Sequence, residues 1–261
     1  MTDDLALAAE LVREAGQLAA RMLVEGLQSV RKSSVSDVVS AADHAAEELV
    51  QARLREHRPA DAVIGEEGAQ VAGADPSGAR TWYIDPVDGT YNFLAGIPFW
   101  CSALALAGGP DQPVTNVPLA GAVYIPVTDE LWLGSLDHPT SVNGQPVARL
   151  VDRPLAELAV GSYLHPARLA EADVRDPLLA AFSGAATMRM LGSGSIELAY
   201  VAAGRLGIWA QLDCPAWDWL PGAALVTAAG GVTDVLEHRG HRWHIAGNRQ
   251  AVAELRALAI R

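Results

Sequence analysis

The N-terminal part of the chain places apolar and polar residues with the period of an α-helix. Apolar residues recur every three or four positions between residues 5 and 22, which predicts a first helix that ends at Gly26. The polar residues 31–37 predict an exposed loop or hairpin. Ser40 then predicts the start of a second helix, with Asp43 three residues later in the capping-box position.

After Pro59 the pattern changes to short apolar runs bounded by Gly, Pro or Asp, which predict β-strands. The predicted strands are residues 62–65, 82–85, 99–107, 119–125 and 130–134. Residues 126–129 suit a turn, so we expect the last two strands to form a hairpin.

The second half of the chain alternates predicted strands with predicted helices. The strands are residues 158–162, 206–211 and 232–235, and the helices are residues 177–182, 195–203 and 217–229, with a last helix capped by Asn248. This alternation predicts helices packed on a second sheet. We therefore expect an α+β half, residues 1–145, followed by an α/β half, residues 146–261.

The composition is that of a globular protein. Of the 261 residues, 50% are hydrophobic and 19% are charged. The net charge of -12 repels nucleic acid and anionic membranes, so we expect neither as a partner. A phosphate substrate would be repelled as well unless bound cations reverse the local charge.

Cysteines and targeting signals add little to the picture. Cys101 and Cys214 are far apart in the sequence and in apolar surroundings, so we expect buried thiols and neither a disulfide framework nor a thiolate zinc site. The acidic N-terminus does not resemble a signal peptide, and no run of about 18 apolar residues occurs. A soluble cytoplasmic protein is the expectation.

The strongest chemical signal lies in residues 82–90, where an apolar strand ends in two carboxylates three positions apart. Pro86 is expected to fix a turn that aims Asp85, Asp88 and the Val87 carbonyl at one point. Gly89 allows close approach of the backbone, and a helix beginning there would favour an anion. Such hard oxygen ligands suit magnesium better than zinc. Alone, however, the segment also fits an ordinary loop turn.

Two further acidic segments point the same way. Glu66 and Glu67 follow another short apolar strand, and Asp218 falls at the start of a predicted helix. Each has an alternative reading, because the glutamates fit solvated loop charges and Asp218 fits an acid favoured by the helix dipole.

Taken together, these segments resemble the inositol monophosphatase family. The resemblance rests on Gly-Glu-Glu at 65–67, Asp-Pro-Val-Asp-Gly-Thr at 85–90 and Trp-Asp at 217–218, in that order and spacing. It covers nearly the whole chain and implies a layered αβαβα sandwich, a fold of the α+β or α/β class. It also implies a lithium-sensitive homodimer.

The resemblance implies a catalytic centre with two or three Mg²⁺ ions. The metal ligands would be Glu66, Asp85, the carbonyl of Val87, Asp88 and Asp218. Thr90, backed by Asp43, would orient the attacking water, and Glu66 would complete the catalytic set. Metal-activated water then needs no covalent phosphoenzyme.

The resemblance also implies how a small phosphorylated metabolite would be held. The implied contacts are Asp88, Gly89, Thr90, Gly192, Ser193, Gly194, Gln211 and Asp218, and Lys32 would lie on a mobile loop over the site. Gln211 departs from the pattern, because inositol phosphatases usually carry an acid at this position. A neutral amide both donates and accepts, which puts the substrate in doubt.

The expected reaction is therefore hydrolysis of inositol monophosphate or a similar polyol phosphate. Histidinol phosphate is the next substrate considered, followed by fructose 1,6-bisphosphate and 3′-phosphoadenosine 5′-phosphate. A non-catalytic relative that binds metal and phosphate is the alternative of another class. The triplet His238, His241 and His244 is expected to be a solvated turn with no role in metal binding.

Overall fold

The structure, a computed structural model, describes residues 3–29, 35–74, 80–108 and 117–260, with side chains left out for 27–29 and 35–40. The helices in these ranges are α1 (Asp3–Ser29), α2 (Val35–His57), α3 (Thr90–Ala95), α4 (Ala172–Phe182), α5 (Gly194–Ala202), α6 (Ala216–Ala228) and α7 (Arg249–Ala259). Short 3₁₀ turns occupy Leu155–Glu157 and Pro166–Ala170.

The described strands form two sheets. The first contains β1 (Ala62–Gly65), β2 (Gln70–Val71), β3 (Arg80–Asp88), β4 (Cys101–Gly108), β5 (Val117–Ile125), β6 (Glu130–Ser135), β7 (His138–Val142) and β8 (Gln145–Pro146). The second contains β9 (Ala159–Gly161), β10 (Thr187–Arg189), β11 (Ile208–Leu212), β12 (Val232–His238) and β13 (His241–Gly247).

The first sheet has the order β2-β1-β3-β4-β5-β6-β7-β8, and the second has the order β10-β9-β11-β13-β12. Strand β1 runs parallel to β3, whereas the other pairs of the first sheet are antiparallel. The predicted hairpin is confirmed as β5 and β6, in register from Ala120–Ser135 to Ile125–Glu130. The parallel pair brings the carboxyl ends of β1 and β3 to one edge.

Five layers of alternating helix and sheet result. Helices α1 and α2 cover the outer face of the first sheet, with a core that includes Leu11, Leu54 and Trp82. Helices α5 and α6 pack between the two sheets, and α4 and α7 cover the far face of the second sheet. This arrangement confirms the layered αβαβα sandwich.

The ends of the first two helices differ from the prediction. Helix α1 continues past Gly26 to Ser29, and α2 begins at Val35 instead of Ser40. The capping box is therefore wrong, since Asp43 lies in the helix interior. A single glycine costs a helix about 1 kcal/mol, which packing of one long helix against its neighbour can outweigh.

The second half holds two more corrections. Helix α4 starts at Ala172, five positions before the predicted start, with Pro177 inside it. The histidine triplet is not a solvated turn, because it lies in the β12–β13 hairpin and His244 is buried. Because His241, Arg242 and His244 break the alternation of polar and apolar residues, the pattern did not predict β13.

The predicted division between residues 145 and 146 falls inside β8, the last strand of the first sheet, and well before β9, the first strand of the second. Helices α5 and α6 share one core cluster with strands of both sheets. The division of the chain into two separate domains therefore stays a prediction. Within the described residues, no helix has the length and apolarity needed to cross a membrane.

Candidate active site

The two aspartates of the 85–90 segment lie at the carboxyl end of β3. Asp85 and Asp88 are buried, with exposures of 1% and 6%. The expected turn at Pro86 is wrong, since the strand continues to Asp88 through an irregularity in its pairing with β4. The Val87 N–H donates to Oδ1 of Asp85 at 3.1 Å, and this bond fixes the carboxylate against its own strand.

Glu66 reaches the same edge from the neighbouring strand. Its N–H donates to the carbonyl of Ile84 at 3.1 Å, which extends the parallel pairing of β1 and β3 by one residue. The Glu66 carboxyl then lies beside that of Asp85, and both line one cavity. Two segments separated along the chain therefore supply adjacent carboxyls.

The third acidic segment arrives through the middle helix layer. Asp218 lies in the first turn of α6, and its carboxyl contacts that of Asp85. Asp88 points at the next helix of the same layer, because the Ser195 N–H of α5 donates to its Oδ2 at 2.6 Å. The four carboxylates expected to meet from three distant segments do meet.

Burial makes this carboxyl cluster electrostatically costly. Burial raises the pKa of Asp85 and of Asp218 well above the usual range, and the neighbouring carboxylates raise both pKa values further. Burial, with the nearby charge of Asp88, raises the pKa of Glu66 to about 7. The pKa of Asp88 is also raised by burial, although the Ser195 amide opposes the rise.

The cluster forms one end of a cavity of about 610 Å³. Its lining includes every predicted substrate contact, namely Asp88, Gly89, Thr90, Gly192, Ser193, Gly194, Gln211 and Asp218. Among the described residues, no lysine or arginine lines it. A phosphate could therefore enter only with cations that offset the carboxylates.

Backbone groups at the cavity suit an anion held beside such cations. Gly89 precedes α3 with φ 100°, a left-handed conformation that other residues rarely adopt. The first N–H groups of a helix have no partners within the helix, and Gly89 and Thr90 both line the cavity. The Thr90 hydroxyl donates to the Val87 carbonyl at 3.2 Å.

Asp43 lies next to the cluster but outside the cavity lining. It is buried, its Oδ1 has no hydrogen-bond partner, and burial together with the charges of Glu67, Glu66 and Glu47 raises its pKa to about 8. Because the Thr90 hydroxyl directs its hydrogen at Val87, the Asp43–Thr90 bond implied by the resemblance is not formed in this structure. The role of Asp43 stays a prediction.

Several lining residues were not predicted: Tyr91, Asn92, Tyr163, His165, Pro166 and Glu197. Asn92 connects the segment before β4 to the segment before α5, since its Nδ2 donates to the Phe99 and Leu191 carbonyls at 2.7 and 2.8 Å. Glu197 accepts from the Leu191 N–H at 2.5 Å. Asn92 stands two positions after Thr90 and could have been suspected, whereas nothing in the pattern singles out Tyr163 or His165.

Two other predictions concern residues around the site. Lys32 lies outside the described residues. Cys101 and Cys214 are confirmed as buried free thiols, but their surroundings are less apolar than expected. The Asp85, Asp88 and Asp218 charges add to burial in raising the pKa of both thiols.

The donor set fits a hard divalent cation. It offers buried carboxylates, a strand-end carbonyl and an uncompensated negative field, which are the preferences of Mg²⁺. As oriented, no group of three or more His, Cys, Asp or Glu side chains in the described ranges is arranged to hold a metal ion. The terminal torsions of Asp and Glu are soft, so these carboxyls can turn towards a bound ion.

Comparison with known proteins decides the family. The family model described as the inositol monophosphatase family matches residues 1–259. The chain belongs to the inositol monophosphatase family. Members of this family are phosphoric monoester hydrolases, and they depend in general on a metal.

Individual members of the inositol monophosphatase family align over most of their length. The chain is 33% identical to an inositol-1-monophosphatase of Rhizobium meliloti, over 97% of this chain and 94% of the relative. It is 34% identical to the Nus factor SuhB of Pseudomonas aeruginosa, over 87% and 83%. An inositol monophosphatase structure from Anabaena superposes with a TM-score of 0.78 at 25% identity, covering 98% and 96%.

Proposed function

We propose that this protein hydrolyses a small phosphate monoester in a Mg²⁺-dependent reaction, with inositol monophosphate or a similar polyol phosphate as its substrate. The observation that carries the proposal is the meeting of Glu66, Asp85, Asp88 and Asp218 at one end of the cavity. Four neighbouring acids repel one another when they are ionised, and bound cations would offset this repulsion. The same cations would attract a phosphate into the cavity.

The residues that would hold two or three ions are Glu66, Asp85, the Val87 carbonyl, Asp88 and Asp218. Bound Mg²⁺ would supply Lewis-acid stabilisation of the phosphoryl oxygens and an acidified water at neutral pH. The chain contributes the fixed positions of these ligands, which come from the ends of β1 and β3 and the start of α6. Because these elements belong to the rigid core, the ligands keep their relative places.

Thr90 is proposed to orient the attacking water, with Asp43 as the neighbouring carboxylate. The hydroxyl lines the cavity and is anchored by its bond to Val87. Rotation of the hydroxyl about its Cβ–Oγ1 bond would redirect that hydrogen towards Asp43 or a water. Amides at the start of α3 are proposed to donate to phosphoryl oxygens, which would lower the charge that the transition state must bear.

The alcohol portion of the substrate is proposed to contact the backbone of residues 192–194 and the side chain of Gln211. Gln211 is buried to 8% exposure and sits across the β11–β13 ladder from His244. Its neutral amide is the observation that keeps histidinol phosphate as a second candidate. The homodimer and the lithium sensitivity belong to the proposal through the resemblance only, and the cytoplasmic location stays a prediction.

A phosphate-release panel with saturating Mg²⁺ tests the proposal. We expect turnover of inositol monophosphate and other polyol phosphates, and no turnover after chelation. A higher kcat/KM for histidinol phosphate than for every polyol phosphate would overturn the substrate assignment. Absence of hydrolysis across the panel would instead favour the non-catalytic alternative.

A further inference from the structure

A buried glutamate on α2 binds the backbone of the turn that follows Glu66. Glu47 is 5% exposed, and its Oε2 accepts from the N–H of Glu67 at 2.9 Å. Its Oε1 accepts from the N–H of Ala69 at 2.8 Å. One carboxylate therefore holds two amides of the same turn, with one oxygen for each.

The end of β1 is shaped to receive this carboxylate. A Cβ atom at Gly65 would overlap Oε2 and Cδ of Glu47, so any larger residue there would displace the carboxylate from this position. Within the turn, the Gly65 N–H donates to the Ala69 carbonyl at 2.8 Å. The absence of a side chain at Gly65 leaves room for the Glu47 carboxylate, and the turn directs two N–H groups at it.

The peptide groups on both sides of Glu66 are held by hydrogen bonds. On one side the Glu66 N–H is bound to the Ile84 carbonyl at 3.1 Å, and on the other the next N–H, of Glu67, is bound to Glu47. With both neighbouring peptide groups fixed, the direction in which the Glu66 side chain leaves the backbone is fixed as well. That direction leads to Asp85.

We propose that Glu47 is a positioning residue that holds Glu66 in the orientation required for cation binding. The proposal rests on the proposed function, since it assigns Glu66 to a cation site. Removal of a group that orients a metal ligand typically lowers metal affinity or activity 10–100-fold.

The chemistry of the side chain favours this role over that of a simple tie between helix and loop. Glu47 adds a negative charge that acts on Asp43 and on Glu66, which is unfavourable in an already acidic region. A tie to a single amide could be made without that charge by a neutral acceptor. Two amides that converge on one side chain need two acceptor oxygens, and a carboxylate has both while an amide side chain has one.

The test compares Glu47→Gln with two control variants. Glu67→Gln removes a nearby charge that acts on the same groups but leaves the Glu47 contacts in place. Glu48→Gln changes the exposed neighbour on α2. Glutamine at 47 keeps the size of the side chain and one acceptor, so we expect the variant to fold.

The first readout needs neither metal nor substrate. Amide hydrogen exchange at Glu67 and Ala69, measured by NMR, should become at least tenfold faster in Glu47→Gln and stay within about threefold in both controls. The second readout is the Mg²⁺ concentration for half-maximal activity, which should rise 10–100-fold in Glu47→Gln alone while kcat at saturating Mg²⁺ falls much less.

The outcomes separate the two levels of inference. Equal Mg²⁺ requirements for Glu47→Gln and Glu67→Gln would overturn the positioning role and leave charge as the cause. Faster exchange with an unchanged Mg²⁺ requirement would reduce Glu47 to a structural tie and also overturn the proposal. If wild type hydrolysed no phosphate monoester, the proposed function would fail, while the exchange result would still report on the turn.

Discussion

The carboxyl of Asp218 lies beside the carboxyl of Asp85, although Asp218 is in the first turn of a helix of the middle layer and Asp85 is near the end of a strand of the first sheet. Strand β3 and helix α6 meet in the core, which brings the two ends together. Two buried acids in contact repel each other when both are ionised. The fold therefore keeps an unfavourable pair that a bound cation would convert into a favourable one.

Replacing Asp218 with asparagine should separate stability from function. We expect hydrolysis to fall by about 100-fold or more, because a ligand is lost. In EDTA the melting temperature should stay equal or rise, since repulsion with Asp85 and Asp88 is relieved. Thermal melts with and without Mg²⁺ check this, and a variant that melted much lower in EDTA would point to a structural role instead.

The carboxyl cluster predicts a pH dependence of stability in metal-free protein. The pKa of Glu66 is raised to about 7 and that of Asp43 to about 8, so the folded state binds more protons than the unfolded state above about pH 4. Stability then falls as pH rises from about 4 towards 8.

Mg²⁺ should oppose this fall, because it binds the deprotonated carboxyls. The difference between the melting temperature in Mg²⁺ and that in EDTA should therefore grow with pH between 5 and 8. Taking the difference cancels other titrating groups, such as buried His244 with its pKa lowered to about 4. A difference independent of pH would contradict the involvement of these carboxyls.

Thr90 should be required for its hydroxyl and not for its shape. We expect Thr90→Ala to lower kcat by about 100-fold with little change in KM, in the range typical of groups that manage a proton in the transition state. Thr90→Ser keeps the hydroxyl and should retain most of the activity. Steady-state kinetics of the two variants decide this, and equal losses would assign Thr90 to packing.

Gln211 should set the preference among substrates. Introducing the acid that inositol phosphatases usually carry, in Gln211→Glu, should shift the kcat/KM ratio towards inositol monophosphate over histidinol phosphate. A charged hydrogen bond to a ring hydroxyl would account for about a 10-fold shift, or ~1.4 kcal/mol. Gln211→Ala is the matched control, since it removes the amide without adding charge. The same ratio in all three proteins would place the alcohol portion elsewhere.

The sequence located the acid cluster well because its signals are local. Asp85 and Asp88 follow an apolar strand at fixed spacing, and the resemblance joined them to Glu66 and Asp218. Helix boundaries were less accessible, since α1 continues past Gly26 and α2 begins before Ser40, against the local glycine and capping signals. Local preference is a weak guide wherever tertiary contacts decide.

The role of Glu47 was not predicted, although its position in the sequence carries a signal. Asp43, Glu47, Val50 and Leu54 follow one another at spacings of four, three and four, so both acids occupy the stripe that α2 buries. An acid in a buried stripe signals a special role. Its partner could not be inferred, because the amides of Glu67 and Ala69 are brought to it only by the folded turn.

On the proposed function, acids from three segments jointly bind divalent cations beside the substrate. Calorimetric titration of Mg²⁺ into wild type and Asp218→Asn, paired with phosphate release from inositol monophosphate, tests it most directly. We predict two or three bound ions and turnover in wild type, with at least one ion and nearly all turnover lost in the variant. Identical titrations and equal turnover in the two proteins would contradict the claim.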